Sequence, residues 1–244
     1  MEELHISMSE SSLFSQASAI AKKSWVKTNF KSGSTSRLSK VLYFRIFKPL
    51  LTFRYNFYKK RNPNTPWTSP ASIVFFDQAL TRTMTGFEYG SGKSTKFFAS
   101  KLKHLVSLEH DSAWYERVRF DLEKDEINNV EYHLIERKET DDVREESVPF
   151  GNDTIHHSFL ECFYAYSGFI SKFPDQHFDF ILVDGRARVD CVVRSVNKLK
   201  PGGILVLDNS ERERYKKVFN LLKDWSSVVT TTGITDTTIW FKPS

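Results

Sequence analysis

Glu88, Gly90, Ser91, Gly92 and Glu109 are the residues whose types and spacing point most directly to chemistry. They lie in the loop Gly86-Phe-Glu-Tyr-Gly-Ser-Gly-Lys-Ser-Thr95 and at the end of the segment Leu105-Val-Ser-Leu-Glu109. A glycine loop followed about 20 residues later by an acid at a strand end is how a doubly wound α/β sheet grips an adenosine-containing ligand. The glycines let the backbone approach. The carboxylate, which has no donor of its own, accepts both ribose hydroxyls.

Two phosphate-binding readings of the loop fail on spacing. Gly92-Lys93-Ser94 resembles the end of a P-loop, but that motif needs glycine at position 87, which is Phe. The dinucleotide pattern G-x-G-x-x-G needs a third glycine where Thr95 stands. Glu88 adds a charge argument. A carboxylate two residues before Gly90 repels a pyrophosphate and suits a cationic ligand, such as the amino group or sulfonium of S-adenosylmethionine.

With these residues the chain resembles the class I S-adenosylmethionine-dependent methyltransferases. Glu88, Gly90 and Gly92 match the family's first motif and Glu109 its second, with Ser94 in place of a third glycine. The likeness continues through Phe178–Asp184 and Leu199–Asn209 and covers roughly residues 70–244. Glu109-His110-Asp111 with Trp114-Tyr115 looks most like an uncharacterised bacterial subgroup. The resemblance implies S-adenosylmethionine as cofactor, held by Glu88, Gly90, Ser91, Gly92, Glu109, His110 and Asp184. It leaves the acceptor open: a small molecule, a saccharide or a lipid precursor, methylated at oxygen.

Asp184 and the pair Asp208-Asn209 should end neighbouring strands. Three such oxygen donors suit a hard cation such as Mg²⁺. This set is similar to that of the catechol-type O-methyltransferases, so Asp184, Asp208 and Asn209 are candidate metal ligands and Asp184, Arg186 and Asp208 candidate catalytic groups. In those enzymes a lysine soon after the first Asp takes the proton, and here Ala187 stands in its place. Arg186 and Arg188 are poor bases and suit an anionic acceptor group. Without a metal, the bases on offer are His156, His157 and His177, each of which has an equally good structural role. Ser94 and Thr95 are read as caps of the first helix.

These residues require an alternation of strands and helices to position them. Strands are expected at Met84–Tyr89, Leu105–Glu109, Val130–Ile135, Phe178–Val183, Gly203–Leu207, Ser226–Thr231 and Thr237–Phe241. Helices are expected at Ser72–Leu80, from the glycine loop to Leu102, at Ser112–Lys124 capped by Asp111, and at Ile155–Ser171, Val189–Leu199 and Arg212–Trp225. Residues 136–153 read as a polar loop. The fold class is therefore α/β: a doubly wound, Rossmann-like, mostly parallel seven-stranded sheet with helices on both faces, plus a basic helical N-terminal extension.

Residues 1–62 form that extension, 63–70 a proline-rich linker and 71–244 the methyltransferase domain. The extension carries 12 Lys or Arg against 3 Glu, while the remainder carries 23 against 27, so the basic character belongs to the extension. Residues 1–36 read as weak helix or disorder. Residues 37–61 are aromatic, apolar and cationic, with Pro49 expected to kink a helix. Such a segment packs on the domain or a partner, or lies in a membrane interface with its cations at the head groups. Nucleic acid is not expected as a partner. Cys162 and Cys191 give no disulfide framework, and no signal sequence or 18-residue apolar run is present, which together suggest a cytoplasmic protein with at most peripheral membrane contact. Two rivals remain: an aminopropyl transferase of the spermidine-synthase type, and a non-catalytic membrane-associated module on the same fold.

Overall fold

The computed structural model describes residues 10–24, 26 and 37–244, with the side chains of 37–45 set aside. The rest of the expected weak helix or disorder over 1–36 lies outside the described residues. Two helices come first, α1 (Glu10–Lys23) and α2 (Arg37–Arg61). Then follow α3 (Pro70–Ala79), β1 (Thr85–Tyr89), α4 (Lys93–Lys101), β2 (His104–Glu109), α5 (Ser112–Lys124) and β3 (Val130–Leu134). A hairpin, β4 (Val143–Phe150) and β5 (Asp153–Leu160), leads to the short α6 (Tyr164–Gly168). β6 (Phe178–Val183), α7 (Arg188–Ser195), β7 (Leu199–Asp208), α8 (Lys216–Leu221), β8 (Ser226–Thr231) and β9 (Asp236–Phe241) complete the chain.

The main sheet has seven strands in the order β3-β2-β1-β6-β7-β9-β8. β3, β2, β1, β6 and β7 pair in parallel, and β9 runs antiparallel to both β7 and β8. Alternate residues of each central strand enter opposite cores, which is why these strands read as continuous apolar runs. Ile181, Val183, Leu205 and Leu207 face one core with Tyr166, Val192 and Val218. Phe180, Leu182, Ile204 and Val206 face the other with Phe76, Phe98 and Leu102. The chain moves outward from β1 on one side and resumes at β6 on the other. The ends of β1 and β6 therefore frame the crevice where a doubly wound sheet takes its ligand.

Local signals explain most boundaries. Ser69 caps α3, its hydroxyl accepting from Ser72 N–H at 3.2 Å, with Pro70 in the first turn. Asp111 caps α5 as expected, its carboxylate accepting from Trp114 N–H at 2.8 Å.

Two expectations need correction. Ile155–Ser171 is not a helix. Residues 153–160 form β5, paired antiparallel with β4 across the two-residue turn Gly151-Asn152, and residues 136–153 are not simply a loop. Phe159, Phe163 and Tyr166 have helical spacing, but Ile155, His157 and Phe159 alternate with exposed neighbours, and period two prevails. The helix expected over Arg212–Trp225 shrinks to Lys216–Leu221, preceded by a 3-10 turn. The N-terminal extension packs on the domain, one of the placements expected for residues 37–61. α1 packs on α3, β8 and β9, with Leu13 and Ala17 buried and the Phe14 ring 6.1 Å from that of Phe241, edge to face. α2 runs through Pro49 and seats Leu51 against Gly233 of the β8–β9 turn. Among the described residues, no helix is long and apolar enough to cross a membrane.

Candidate active site

β1 and β6 end side by side, and their loops nearly touch. Gly90 has φ +92°, and a Cβ there would sit 2.7 Å from Gly185 Cα and N, so only glycine permits the approach. Beyond this seam lies a cleft of about 1150 Å³. Gly90, Ser91, Glu109, His110, Asp184 and Arg186, all named from the sequence, line it.

Glu109 is held rigidly at the end of β2. Its Oε2 accepts from the Ser91 N–H at 3.2 Å and the Ser91 hydroxyl at 2.8 Å. Its Oε1 accepts from the N–H groups of His110 at 2.7 Å and Asp111 at 3.0 Å, and His110 Nδ1 lies 2.7 Å away. Burial pushes the carboxyl pKa up, but His110, the two N–H groups and Ser91 outweigh it and bring it down to about 2. The group is thus a fixed carboxylate at neutral pH. The loop above it is pinned by Trp114, whose indole N–H donates to the Ser91 carbonyl at 2.9 Å, and by Tyr132, whose hydroxyl lies 2.6 Å from that of Ser91.

Glu88 occupies a different level. It is fully buried and does not line the cleft. Its Oε2 accepts from Thr95 and Ser107 hydroxyls, both at 2.7 Å, while Oε1 has no partner. Thr95 Oγ1 in turn accepts from Gly92 N–H at 2.9 Å, so Glu88 braces the loop and the start of α4 from below. Burial lifts its pKa to about 7, against the three hydroxyls of Ser94, Thr95 and Ser107 that favour the anion. The sequence placed this carboxylate against the cofactor's amino group. The structure puts it behind the loop, with Thr95 as the cap expected of that residue.

At β6 and β7 the expected cation site is already filled. Arg188 donates to the Asp184 carboxylate at 2.9 Å, to the Asp184 carbonyl at 2.7 Å and to the Asp208 carbonyl. Asp208 is buried, accepting from Thr237 at 2.7 Å and Asn209 at 2.8 Å. Asn209, at φ +51°, turns its Oδ1 to Arg212, which donates at 2.7 Å. The donors proposed for Mg²⁺ are thus spent on protein partners, and among the described residues no cluster of His, Cys, Asp and Glu suits a metal ion. The residues do not fit a bound metal, because a guanidinium supplies the positive charge. Burial and the Asp184 charge push Asp208 well up, and burial also raises Asp184 against the pull of Arg188. Asp208 lies behind Asp184 and does not line the cleft, which removes it from the groups that can touch an acceptor.

Sequence reasoning missed the opposite wall. The β4–β5 hairpin packs on α7 and brings His157, Ser158 and Phe159 to the cleft. Buried His157 joins Asp190 at 2.8 Å through Nε2 and Lys217 Nζ at 2.9 Å through Nδ1. The chain Asp190–His157–Lys217 thereby fixes an ammonium at the cleft wall. Arg117, Arg212 and Arg214 line the cleft too. His157 was named from the sequence as a candidate base; the period-two pattern of residues 153–160 was the available signal for its strand, whereas nothing local pairs it with Asp190. His156 lies instead on the exposed side of β5, 3.3 Å from Ser147, and His177 packs on Phe173 and Phe178 away from the cleft.

No known protein family matches the chain as a whole or in part, and no curated protein matches it. Solved structures do. A methyltransferase from Geobacter sulfurreducens is similar with a TM-score of 0.51 at 12% identity, over 80% of this chain and 89% of that one. A methyltransferase-like protein from Silicibacter pomeroyi is similar at 0.48 and 20% identity, over 72% and 87%. A putative methyltransferase from Streptococcus mutans in complex with SAH is similar at 0.48 and 13% identity, over 69% and 94%. At these identities the likeness is one of fold. The chain has the Rossmann-like methyltransferase fold, with the seven-stranded sheet expected from the sequence and a hairpin inserted after β3.

Proposed function

We propose that this protein is an S-adenosylmethionine-dependent methyltransferase whose acceptor carries a negative charge. One observation carries the reading: a buried, fully ionised Glu109 at the end of β2 faces a large cleft beside the Gly90–Gly185 seam at the switch point of the sheet. Both Glu109 oxygens are already aligned by N–H donors, and the Ser91 hydroxyl bonded to Oε2 marks where a ligand hydroxyl would bind. A ribose hydroxyl would take the place of the Ser91 hydroxyl on a carboxylate that the N–H donors already hold in position. Gly90 and Ser91 offer backbone close to the remainder of the cofactor, and His110 is fixed between Glu109 and the Arg186 side chain, 3.4 Å away. The bound cofactor supplies an electrophilic methyl group on a sulfonium.

The chain's own residues set up the rest. Arg186, Arg214 and Lys217 present cations to an acceptor phosphate or carboxylate. That grip positions an acceptor hydroxyl in line with the methyl, the main source of rate in such a displacement. Asp184, raised by burial and steadied by Arg188, is the group we assign to take the hydroxyl proton. The acceptor belongs among small molecules, saccharides or lipid precursors bearing such an anionic group.

Calorimetry of the full chain with S-adenosylmethionine and S-adenosylhomocysteine tests the first part. Micromolar binding of either supports it, and no heat from either at millimolar ligand overturns it.

A further inference from the structure

α2 presents an apolar stripe that nothing among the described residues covers. Ile46, Leu50, Phe53 and Phe57 are spaced by four, three and four residues, so they share one side of the helix. They are 59%, 56%, 70% and 47% exposed, unusually high for such side chains. Phe47, Leu51, Tyr55 and Tyr58 form the opposite side, and these are the less exposed residues. Leu51 is buried against Gly233, and the Tyr55 hydroxyl donates to the Trp67 and Thr68 carbonyls at 2.5 and 3.1 Å. The helix is therefore docked by one face and leaves the other outward.

Charge identifies what the outward face meets. From residue 46 onward α2 carries Lys48, Arg54, Lys59, Lys60 and Arg61 and no acid. On a helical wheel Arg54 and Arg61 border the apolar stripe on one side and Lys60 borders it on the other. The Arg61 guanidinium lies 4.4 Å over the Phe57 ring, laid along the stripe rather than away from it. A second copy of α2 against this face would oppose cation to cation. A polynucleotide would leave four large apolar side chains in water. We propose that α2 lies on an anionic lipid surface, its stripe in the interface and the flanking Lys60 and Arg61 at the head groups, while Lys59 stays over the Tyr55 and Trp67 rings on the docked side.

The placement deepens the methyltransferase reading, on which its consequence for the acceptor rests. Trp67, tied to Tyr55, lines a second cavity of about 670 Å³ that shares Ser91, Trp114, Arg117 and Asp184 with the main cleft. Docking α2 holds the protein at the lipid surface, the source of an acidic lipid or lipid-linked acceptor for the neighbouring cleft.

Co-sedimentation of the full chain with phosphatidylglycerol/phosphatidylcholine vesicles, beside pure phosphatidylcholine vesicles, is the test. The expected result is pelleting with the anionic vesicles only, weakened at least tenfold in Phe53→Ser/Phe57→Ser and by high salt or Lys60→Gln/Arg61→Gln. These side chains are outside the cleft, so the variants should bind S-adenosylhomocysteine as the parent does, which separates misfolding and failure of the cofactor reading from loss of docking. No pelleting with anionic vesicles overturns the proposal. So does pelleting that is unaffected by both double variants, or a dimer in solution that the Phe53→Ser/Phe57→Ser variant abolishes.

Discussion

Replacing Glu88 by Gln tests the geometry beneath the glycine loop. Glu88 is fully buried, and burial lifts its pKa from 4.5 to about 7. The folded protein therefore keeps a proton that the unfolded chain releases between those values. Its contribution to stability is fully present below pH 4.5 and is lost as pH rises through about 7. At about 1.4 kcal/mol per pH unit, the loss is at most about 3 kcal/mol by pH 8. Gln is neutral throughout and its carbonyl can still accept from Thr95 and Ser107. Its amide would stand where Oε1 has no partner, at a cost of about 1–3 kcal/mol that does not change with pH.

Urea unfolding of both proteins, followed by tryptophan fluorescence, gives the comparison. Wild type should be the more stable at pH 4.5, and the gap should narrow or reverse by up to about 3 kcal/mol at pH 8. Titration of Asp184 and Asp208 is common to both proteins and drops out of the difference. A difference that stays flat from pH 4.5 to 8 would refute the burial argument. The same variant separates two roles. A brace under the loop predicts S-adenosylhomocysteine affinity within about threefold of wild type, whereas an ammonium ligand predicts a loss of tenfold or more, since a charged hydrogen bond contributes about 1.5–3 kcal/mol.

Glu109→Ala should lower S-adenosylhomocysteine affinity by at least about tenfold in calorimetry, for the same reason, while the domain stays folded. Because Glu109 is held down at about 2, it stabilises the fold above pH 4.5 and loses that contribution as pH falls toward 2, so acid unfolding should be steeper in wild type than in the variant. Gly90→Ala combines φ +92° with backbone only 2.7 Å from the new Cβ, and should cost at least about 2 kcal/mol in urea unfolding. Arg188→Met takes the guanidinium from the Asp184 carboxylate and from the Asp184 and Asp208 carbonyls, and should cost about 3 kcal/mol or more at pH 8 but less at pH 5, since burial raises both carboxyls toward the neutral form. Equal losses at the two pH values would show that Arg188 acts by packing alone.

The seven strands were legible because each central one is covered on both faces, which forces an uninterrupted apolar run between turn residues. The position of Glu109 at the cleft was legible for a related reason. A strand that ends in an acid beside a glycine loop leaves few uses for that acid other than a hydroxyl-bearing ligand. The hairpin was not, because Phe159, Phe163 and Tyr166 also fit a helix, and only the Gly151-Asn152 turn with the alternation around His157 argued otherwise. α1 looked weak because its apolar face is short. Its stability comes from the surface of α3, β8 and β9 to which Leu13 and Ala17 are fitted, a surface assembled from residues more than fifty positions away.

The supposed metal site shows the limit most clearly. Asp184, Asp208 and Asn209 are the right donors on the right strands, yet sequence order cannot say which cation reaches them. Arg188, four residues after Asp184 on the first turn of α7, reaches both strand ends at once. Charge counts mislead in the same way. Residues 63–244 carry an excess of acid, but the acids at the cleft are largely engaged: Glu109 by Ser91 and His110, Asp184 by Arg188, Asp190 by His157. Arg186, Arg214 and Lys217 line the same cleft, and the folded site is more cationic than the composition of its domain implies. The proposed anionic acceptor rests on how the charges are paired, and the total charge of the domain would have argued for the opposite.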